Sequence, residues 1–419
     1  MDINNILKGV ECSCGKTHQC DIEYVYVEKG AIARLDTICG QKENILVVAD
    51  ENTYSAAGEK VEQALGGRTM KKVIFSGETV LIPNEDAIDR VRAEISGIDM
   101  ILGIGSGVIQ DLCKYVSFFA RIPYIIVATA PSMDGYASSG AAMILKGMKE
   151  TVPAGLPKAI IADIDVLKDA PLDMIKAGYG DIMGKYSALC DWALSHKVNN
   201  EYFCQYIYDV VFEMVKSTLN VADGLLNRDD ESIKILTEAL IVVGIMISFA
   251  GSSRPASGSE HHLSHFFEIV GIINNKPYFV HGIDVAYSTV ITAQLREEIL
   301  KHEFPNSQYR LSRNDYEKKM LEIYSVIADE CIALQDRVGL YDTDRISIYK
   351  HKENEIRNIL SEMPTAEEIE KIIGRVGLSM EDFYKMYDAK DIENAVLYAK
   401  DLKDRYTVLW MYYDFLRGE

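Results

Sequence analysis

Residues 103–111 of the 419-residue chain read Gly103-Ile104-Gly105-Ser106-Gly107-Val108-Ile109-Gln110-Asp111. An apolar, β-prone segment at 100–103 precedes this run, and the pattern at 108–120 predicts a helix. Backbone N–H groups and the dipole at such a helix start bind phosphate, and glycine lets the backbone approach it closely. The run departs from the usual G-x-G-x-x-G pattern because valine occupies position 108. It indicates a nucleotide-phosphate loop, with a ligand-free strand-to-helix turn as the alternative.

Strands and helices alternate on both sides of this run. The predicted strands are 45–49, 71–75, 100–103, 124–128 and 159–162, and the predicted helices between them are 54–65, 86–96 and 108–120. Such alternation predicts a Rossmann-like α/β domain in which helices cover a parallel sheet.

Helical periodicity dominates the chain from residue 172 onward. The predicted helices are 172–195, 230–250, 260–270, 284–300, 316–332 and 365–376. We therefore predict a nucleotide-binding α/β domain over 1–168 and an all-α metal- and substrate-binding domain over 169–419. A ligand shared by both would lie in the cleft at the carboxyl edge of the sheet.

Composition limits the classes of partner. The chain is 48% hydrophobic and 26% charged, and its 44 basic and 63 acidic side chains give a net charge of -19. So acidic a surface repels nucleic acid and anionic lipid. The most apolar stretch, 235–250, is interrupted by Thr237 and Glu238 and predicts a buried helix rather than a membrane span. The start of the chain lacks a secretory pattern, so we expect a cytoplasmic protein without nucleic-acid or membrane partners.

Three of the eight cysteines lie close together near the start of the chain. Cys12, Cys14 and Cys20 accompany His18 in a segment that offers four soft ligands to a structural zinc ion. The C-x-C spacing differs from the C-x2-C of most zinc knuckles. It favours a turn between two short strands, with the zinc site as the alternative.

Two further segments carry candidate polar groups. Residues 128–138 form a loop rich in small and hydroxyl side chains after the fourth predicted strand, in which Asp134 either binds substrate or caps a turn. Asp181 and Lys185 are four residues apart in a predicted helix, which is typical of an exposed ion pair. The glycines at 178, 180 and 184 favour instead a close approach of a ligand or of the backbone.

Four of the eight histidines lie in one region. His261 and His265 share a helix face at i,i+4, next to His262, and His281 follows about one helix later. If His261 and His281 converge with Asp181, they offer one carboxylate and two imidazoles to a metal and leave positions open for a substrate oxygen.

Taken in order, these motifs resemble the sn-glycerol-1-phosphate dehydrogenase family. That family belongs to a larger group with glycerol dehydrogenase, iron-containing alcohol dehydrogenases and 3-dehydroquinate synthase, all of which combine a nucleotide-binding domain with a helical metal domain. By position, the resemblance implies a metal set of Asp181, His261 and His281, and catalytic or substrate roles for Asp134, Asp181 and His265. It implies cofactor contacts at Gly105, Ser106, Gly107, Val108, Ile109, Gln110, Asp111, Thr129, Ala130, Pro131, Ser132 and Ser138.

The resemblance implies a metal- and NAD- or NADP-dependent interconversion of glycerone phosphate and sn-glycerol 1-phosphate by a homodimer or larger homo-oligomer. Asp50, at the end of the first predicted strand, is a candidate for a ribose hydroxyl. Zn, Ni and Fe all suit a mixed carboxylate and imidazole site. Candidates for the substrate phosphate, chosen by charge, are Lys149, Lys158, Lys185 and Arg254.

Three alternatives share parts of this pattern. Glycerol dehydrogenase would act on unphosphorylated glycerol or dihydroxyacetone and would need no cationic pocket. A lyase resembling 3-dehydroquinate synthase would show no net NAD turnover. A nucleotide sensor without catalysis would keep the phosphate loop and leave the metal residues unused. His262 competes with His261 as the metal ligand, and the i,i+4 spacing favours His261.

Overall fold

The computed structural model describes residues 2–145 and 148–415, which fall into two compact units. Unit 1 comprises Met1–Ile182 and Lys216–Ser252, and unit 2 comprises Met183–Val215 and Ser253–Glu419. The strands are β1 Val10–Glu11, β2 Thr17–His18, β3 Tyr24–Glu28, β4 Asn44–Asp50, β5 Thr69–Phe75, β6 Met100–Gly105, β7 Tyr124–Ala128, β8 Gly140–Leu145, β9 Met148–Pro153 and β10 Ala159–Asp163.

The α-helices follow the order of the chain. They are α1 Ile3–Leu7, α2 Leu35–Cys39, α3 Glu51–Leu65, α4 Glu85–Arg92, α5 Gly107–Ala120, α6 Ile164–Leu167, α7 Leu172–Asn199, α8 Gln205–Thr218, α9 Ala222–Leu226, α10 Asp230–Ala250, α11 Ser259–Asn274, α12 His281–Lys301, α13 Arg313–Tyr324, α14 Ala328–Val338, α15 Ile346–His351, α16 Glu353–Ser361, α17 Ala366–Gly374, α18 Met380–Met386, α19 Ala389–Tyr398 and α20 Val408–Phe415. Short 3₁₀ turns lie at Ala31–Arg34, Asp134–Ala137, Ser325–Ile327 and Ala399–Leu402.

Unit 1 is built on a six-stranded parallel sheet in the order β3-β10-β7-β6-β4-β5. Its inner strands are apolar on both faces. Leu102 and Ile104 of β6 pack into one core, whereas Ile101 packs into the core on the opposite face. Continuous apolar strands of this kind are expected where helices cover both faces. The parallel α/β sheet predicted from the sequence is therefore confirmed.

The order of the strands places the glycine-rich loop between β6 and α5 at a reversal of the chain path. From β4 the chain passes to β5 on one side, then returns to β6 on the other side of β4. The register pairs Ala49 of β4 with Ile104 of β6, so both strands end at the same sheet edge. Ligands of open parallel sheets bind in the crevice outside such a reversal.

Unit 1 also contains elements that the sequence pattern did not predict. Strand β3 forms one edge of the sheet beside β10. Strands β8 and β9 form an antiparallel hairpin. Near the start of the chain, β1 and β2 pair antiparallel, so the two short strands predicted there are present, and the segment that joins them carries Cys12 and Cys14.

The second half of the chain is helical, as predicted, and one helix boundary is wrong. The predicted helix at 316–332 is two helices, α13 and α14, because Ser325 adopts a left-handed conformation with φ 44°. Backbone N–H groups cannot continue an α-helical ladder through such a residue. The side chain of Tyr324, directly before the break, is buried and donates its hydroxyl to the carbonyl of Tyr398 at 2.8 Å.

Helix α10 is the one helix of the described residues with the length and hydropathy of a membrane span. Within its apolar window, 78% is buried inside the protein. A mostly buried helix of this composition is typical of the core of a soluble protein. The prediction of a buried helix for this stretch is confirmed.

Candidate active site

The loop between β6 and α5 brings backbone N–H groups to the carboxyl edge of the sheet. Ser106 precedes α5, and its side chain makes no capping hydrogen bond there. A Cβ on Gly105 would lie 2.6 Å from Cβ of Ile109, so glycine is required for packing, whereas at Gly107 the nearest atom is Cε of Met133 at 3.9 Å. The loop therefore has room for a Cβ at position 107 without a clash, and it leads into the uncapped start of a 14-residue helix.

Two of the predicted cofactor residues in α5 are buried by the protein itself. Ile109 is 2% exposed, and the Gln110 side chain donates to the hydroxyl of Tyr124 and to the carbonyl of Tyr136, each at 3.1 Å. Contact with a cofactor at these positions is consequently limited to the backbone. The side chains instead fasten α5 to the neighbouring segments.

The loop after β7 lies against the loop after β6. The N–H of Thr129 donates to the carbonyl of Gly105 at 3.2 Å. Lys114, fully buried in α5, donates to the carbonyls of Gly135 and Gly140 at 3.2 and 2.7 Å and lies 3.3 Å from the Ser138 hydroxyl. Burial lowers the pKa of Lys114. Lys114 thus fixes the loop after β7 to α5. The Ser138 hydroxyl is held in place by the same lysine.

Asp134 and Asp181 are brought together within unit 1. The backbone N–H of Asp134 donates to Oδ2 of Asp181 at 2.9 Å, and Asp181 is 1% exposed. One turn earlier in α7, a Cβ on Gly178 would overlap with the carbonyl oxygen of Pro131. The glycines of α7 therefore permit the close approach to the backbone that the sequence predicted.

Three histidines gather in unit 2. The ring centroids of His261 and His281 are 5.2 Å apart, those of His265 and His281 are 5.4 Å apart, and those of His261 and His265 are 6.1 Å apart. His261 and His265 lie on one face of α11, and His281 begins α12. The predicted clustering of these three imidazoles is present.

A buried carboxylate orients the first of these rings. Nδ1 of His261 lies 2.6 Å from Oε1 of Glu260, which also accepts the N–H of Gly258 at 2.9 Å. Glu260 is fully buried, and burial raises its pKa to about 7. Nδ1 of His281 lies 3.4 Å from the Ser264 hydroxyl. Partners on Nδ1 of this kind fix the tautomer and orientation of imidazoles that ligate a metal through Nε2.

The adjacent residues His261 and His262 lie in different environments. His262 is fully buried, and neither of its ring nitrogens has a hydrogen-bond partner within the described part of the chain. Burial is the main reason that its pKa lies well below the usual value. The geometry of unit 2 therefore favours His261 over His262 as a ligand.

Several of the remaining candidates have structural partners. Asp50 accepts the N–H of Thr53 at 2.8 Å and caps α3, although it lies at the carboxyl edge of the sheet. Lys158 precedes β10 at the amino edge, opposite the nucleotide loop, and donates to the carbonyl of Ile38 at 3.3 Å. Its assignment to the substrate phosphate is wrong for this reason.

The other basic candidates differ in their surroundings. Arg254 is 5% exposed, and its guanidinium is engaged with Glu201, with the Tyr406 carbonyl at 2.9 Å and with the Ser195 hydroxyl at 3.2 Å. These contacts indicate a structural role. Lys185 is buried in α7 and donates to the Ala256 carbonyl at 3.1 Å. The side chain of Lys149 lies outside the described residues.

Sequence reasoning missed two carboxylates beneath the histidines. Glu260 directly precedes His261 in the sequence and was not predicted as a site residue. Asp191 accepts the N–H and hydroxyl of Ser259 at 2.5 and 2.6 Å and the N–H of Val408 at 2.6 Å, and thereby fixes the start of α11. The adjacency of Glu260 to His261 was a usable signal, whereas nothing in the sequence connects Asp191 with Ser259.

Comparison with known proteins gives one consistent picture. Residues 26–171 match the iron-containing alcohol dehydrogenase family. The chain is 31% identical to a glycerol-1-phosphate dehydrogenase [NAD(P)+] of Halalkalibacterium halodurans, covering 99% of this chain and 100% of that protein. It is 34% identical to a glycerol-1-phosphate dehydrogenase [NAD(P)+] of Thermococcus sibiricus over 64% of this chain and 77% of the relative.

A solved structure shares the fold. An iron-containing alcohol dehydrogenase from Thermococcus thioreducens superposes with a TM-score of 0.64 at 12% identity, covering 96% of this chain and 100% of that one. At this identity the similarity concerns the fold alone. The combination of a parallel-sheet half and a helical half, predicted from the sequence, is therefore shared with a solved protein.

Proposed function

The chain belongs to the glycerol-1-phosphate dehydrogenase family, and from this membership we propose that it interconverts glycerone phosphate and sn-glycerol 1-phosphate with NAD or NADP. The observation that carries the proposal is the similarity to a relative of that name over both full chains. The two loops at the sheet edge of unit 1 and the histidine cluster of unit 2 supply the residue types that such a reaction needs.

We assign the dinucleotide to the first unit's loops. The glycine at 107 and the uncapped start of α5 suit a pyrophosphate, with contacts from the backbone of 105–111. The hydroxyls of Thr129 and Ser132 and the backbone of 129–132 line the adjacent loop. Asp50 lies one strand away, and its carboxylate is proposed to contact the adenosine ribose in addition to capping α3.

We assign the divalent metal to Asp181, His261 and His281. Two observations fit a metal there: the imidazoles cluster, and His261 and His281 each have an oriented Nδ1. Zn, Ni and Fe are all compatible with this ligand set. Oδ2 of Asp181 accepts one hydrogen bond, and a carboxylate has further lone pairs for a cation.

When bound, the nicotinamide carries the hydride, and the metal acts as a Lewis acid on the substrate oxygen. Asp134 is proposed to bind the substrate hydroxyl groups and to assist proton transfer at its carboxylate. His265 lines the substrate position. Lys114 holds the loop that carries Asp134, and Glu260 holds the ring of His261. Lys185 is the remaining buried candidate for the substrate phosphate in the described residues.

The proposal also covers the division of roles along the chain, the oligomeric state and the location of the enzyme. Residues 1–168 would carry the nucleotide, and residues 169–419 would carry the metal and the substrate. The enzyme would be cytoplasmic and homodimeric or larger. Its partner would be a small phosphorylated three-carbon substrate rather than nucleic acid or membrane.

The proposal is tested by oxidation of NADH and NADPH with metal-reconstituted protein. Glycerone phosphate and dihydroxyacetone are compared side by side at equal concentration. We expect a higher kcat/KM for the phosphorylated ketone. A preference for dihydroxyacetone would identify a glycerol dehydrogenase instead, and no oxidation with either ketone would favour the lyase or sensor alternatives.

A further inference from the structure

The hairpin of β1 and β2 places three soft donors in one small volume. The ligand atoms of Cys12, Cys14 and His18 all lie within 4.8 Å of one another. Cys14 Sγ and His18 Nε2 are 3.4 Å apart. Tetrahedral zinc with Zn–S of about 2.3 Å and Zn–N of about 2.1 Å holds sulfur and nitrogen ligands about 3.6 Å apart. The separation of Cys14 Sγ and His18 Nε2 is close to this value, and all three ligand atoms are near enough to bind one ion together.

His18 is held in the orientation that a metal ligand requires. Its Nδ1 lies 3.1 Å from the carbonyl oxygen of Phe249, and its ring stacks on that of Phe249 with centroids 5.5 Å apart. The side chain is 1% exposed. A carbonyl partner on Nδ1 selects the tautomer whose Nε2 lone pair faces the two sulfur atoms.

The backbone of the hairpin is shaped to present the two cysteines. The N–H of Gly15 donates to the carbonyl of Cys12 at 3.0 Å, and the N–H of Cys12 donates to the carbonyl of Lys16 at 3.1 Å. Gly15 has φ +86°, a conformation that favours glycine directly after the second cysteine. The resulting tight turn brings both thiols to the same side as His18.

Two strands of two residues each are too short to be stable by their own pairing. None of the eight cysteines, all of which lie in the described part of the chain, forms a disulfide. A cross-link at this position would supply the missing stability, and thiolate with imidazole is the donor combination that zinc prefers.

We propose that Cys12, Cys14 and His18 bind a structural zinc ion, separate from the catalytic metal. The ion would fasten the hairpin to the last turn of α10 through His18 and Phe249. One residue before Phe249, Ser248 donates to the carbonyl of Ala137 at 2.7 Å, in the turn that contains Asp134. The zinc-bound hairpin would thus stabilise the last turn of α10, which in turn contacts the loop that carries Asp134.

Cobalt substitution distinguishes this site from the proposed catalytic one, because only thiolate ligands give a sulfur-to-cobalt charge-transfer band in the near ultraviolet. The full-length chain is loaded with Co²⁺ and compared with Cys12→Ser, Cys14→Ser, Cys20→Ser and His281→Ala. We expect the band to weaken or disappear in the first two variants, because each removes one of the two proposed thiolate ligands, and to be kept in Cys20→Ser, the matched control from the same segment. It should also be kept in His281→Ala, whatever happens to activity. A wild type without the band, or an unchanged band in Cys12→Ser, would overturn the proposal.

A second measurement needs no variant to fold. X-ray absorption of the zinc-loaded wild type is expected to show sulfur neighbours of zinc at about 2.3 Å. A zinc shell of nitrogen and oxygen alone would overturn the site even if the enzyme proves to be an active dehydrogenase.

Discussion

His261 Nδ1 lies 2.6 Å from Oε1 of Glu260, and the carboxylate of Glu260 is fully buried beside it. Such a pair fixes the orientation of the ring, so that the Nε2 atom points in one defined direction. This relationship explains why a glutamate directly precedes the histidine in the sequence.

Replacing Glu260 with Gln should weaken metal binding without removing a ligand. The amide keeps the size of the side chain but loses its charge, so we expect a 10- to 100-fold lower metal affinity. Metal titration with a chromophoric chelator measures it. Glu268→Gln, on the same helix, serves as the control. Equal affinity in both variants would contradict the role of Glu260.

The adjacent histidines offer a matched pair. His261→Ala should lose metal and activity, because it removes one of the clustered imidazoles that are proposed to bind the metal. His262→Ala should retain metal and lower the melting temperature, because it leaves a cavity at a fully buried position. Metal content and thermal denaturation separate the two effects. The reverse pattern would assign the ligand to His262.

Gly178→Ala should disturb the second cofactor loop. The new Cβ would overlap with the carbonyl of Pro131, so either α7 or the loop must shift, at a cost above about 1 kcal/mol. We expect a raised KM for the dinucleotide together with lower stability. Gly374→Ala, at an exposed helix position with no atom within 4 Å, is the control and should be neutral or stabilising by up to about 1 kcal/mol.

Asp191 should make stability depend on pH. Burial, followed by the charge of Glu260, raises its pKa from 3.8 to about 7. Between these values the folded protein holds a proton that the unfolded chain releases. The contribution is therefore present below about pH 3.8 and is lost as the pH rises through about 7.

Asp191→Asn tests this sign. Urea denaturation from pH 4 to 7 should show the stability difference between wild type and variant shrinking by on the order of a few kcal/mol as the pH rises. Asp99→Asn is the control of opposite sign, because hydrogen bonds from Asn44 lower the pKa of Asp99. Its contribution is lost only as the pH falls below about 3.8. Parallel curves for wild type and Asp191→Asn would contradict the assignment.

The sequence predicted the parts of the fold that repeat a regular pattern. Strands β4 to β7 and β10 are apolar runs between helices, and their existence follows from periodicity. Strand β3 was missed because its alternating residues, Tyr24 to Glu28, lie outside the strand-helix repeat and gain their place only by pairing with β10. The break at Ser325 was missed because no glycine or proline marks it.

The residues of the candidate site were likewise predicted only where they form a regular pattern or a motif. Motifs predicted the two loops at the sheet edge and the clustering of the histidines, of which His261 and His265 share a face because of their spacing along one helix. Charge alone misplaced Lys158, because the sequence of a strand does not show which sheet edge a flanking lysine reaches. Asp191 could not be found, because it meets Ser259 through tertiary packing 68 residues away in the chain.

The stereochemistry of the product is the most direct test of the proposed reaction. Metal-reconstituted enzyme is given glycerone phosphate with NADH, and the glycerol phosphate formed is offered to a dehydrogenase specific for sn-glycerol 3-phosphate. We predict that the product is sn-glycerol 1-phosphate and is left unoxidised. Complete oxidation of the product, or no glycerol phosphate at all, would contradict the account.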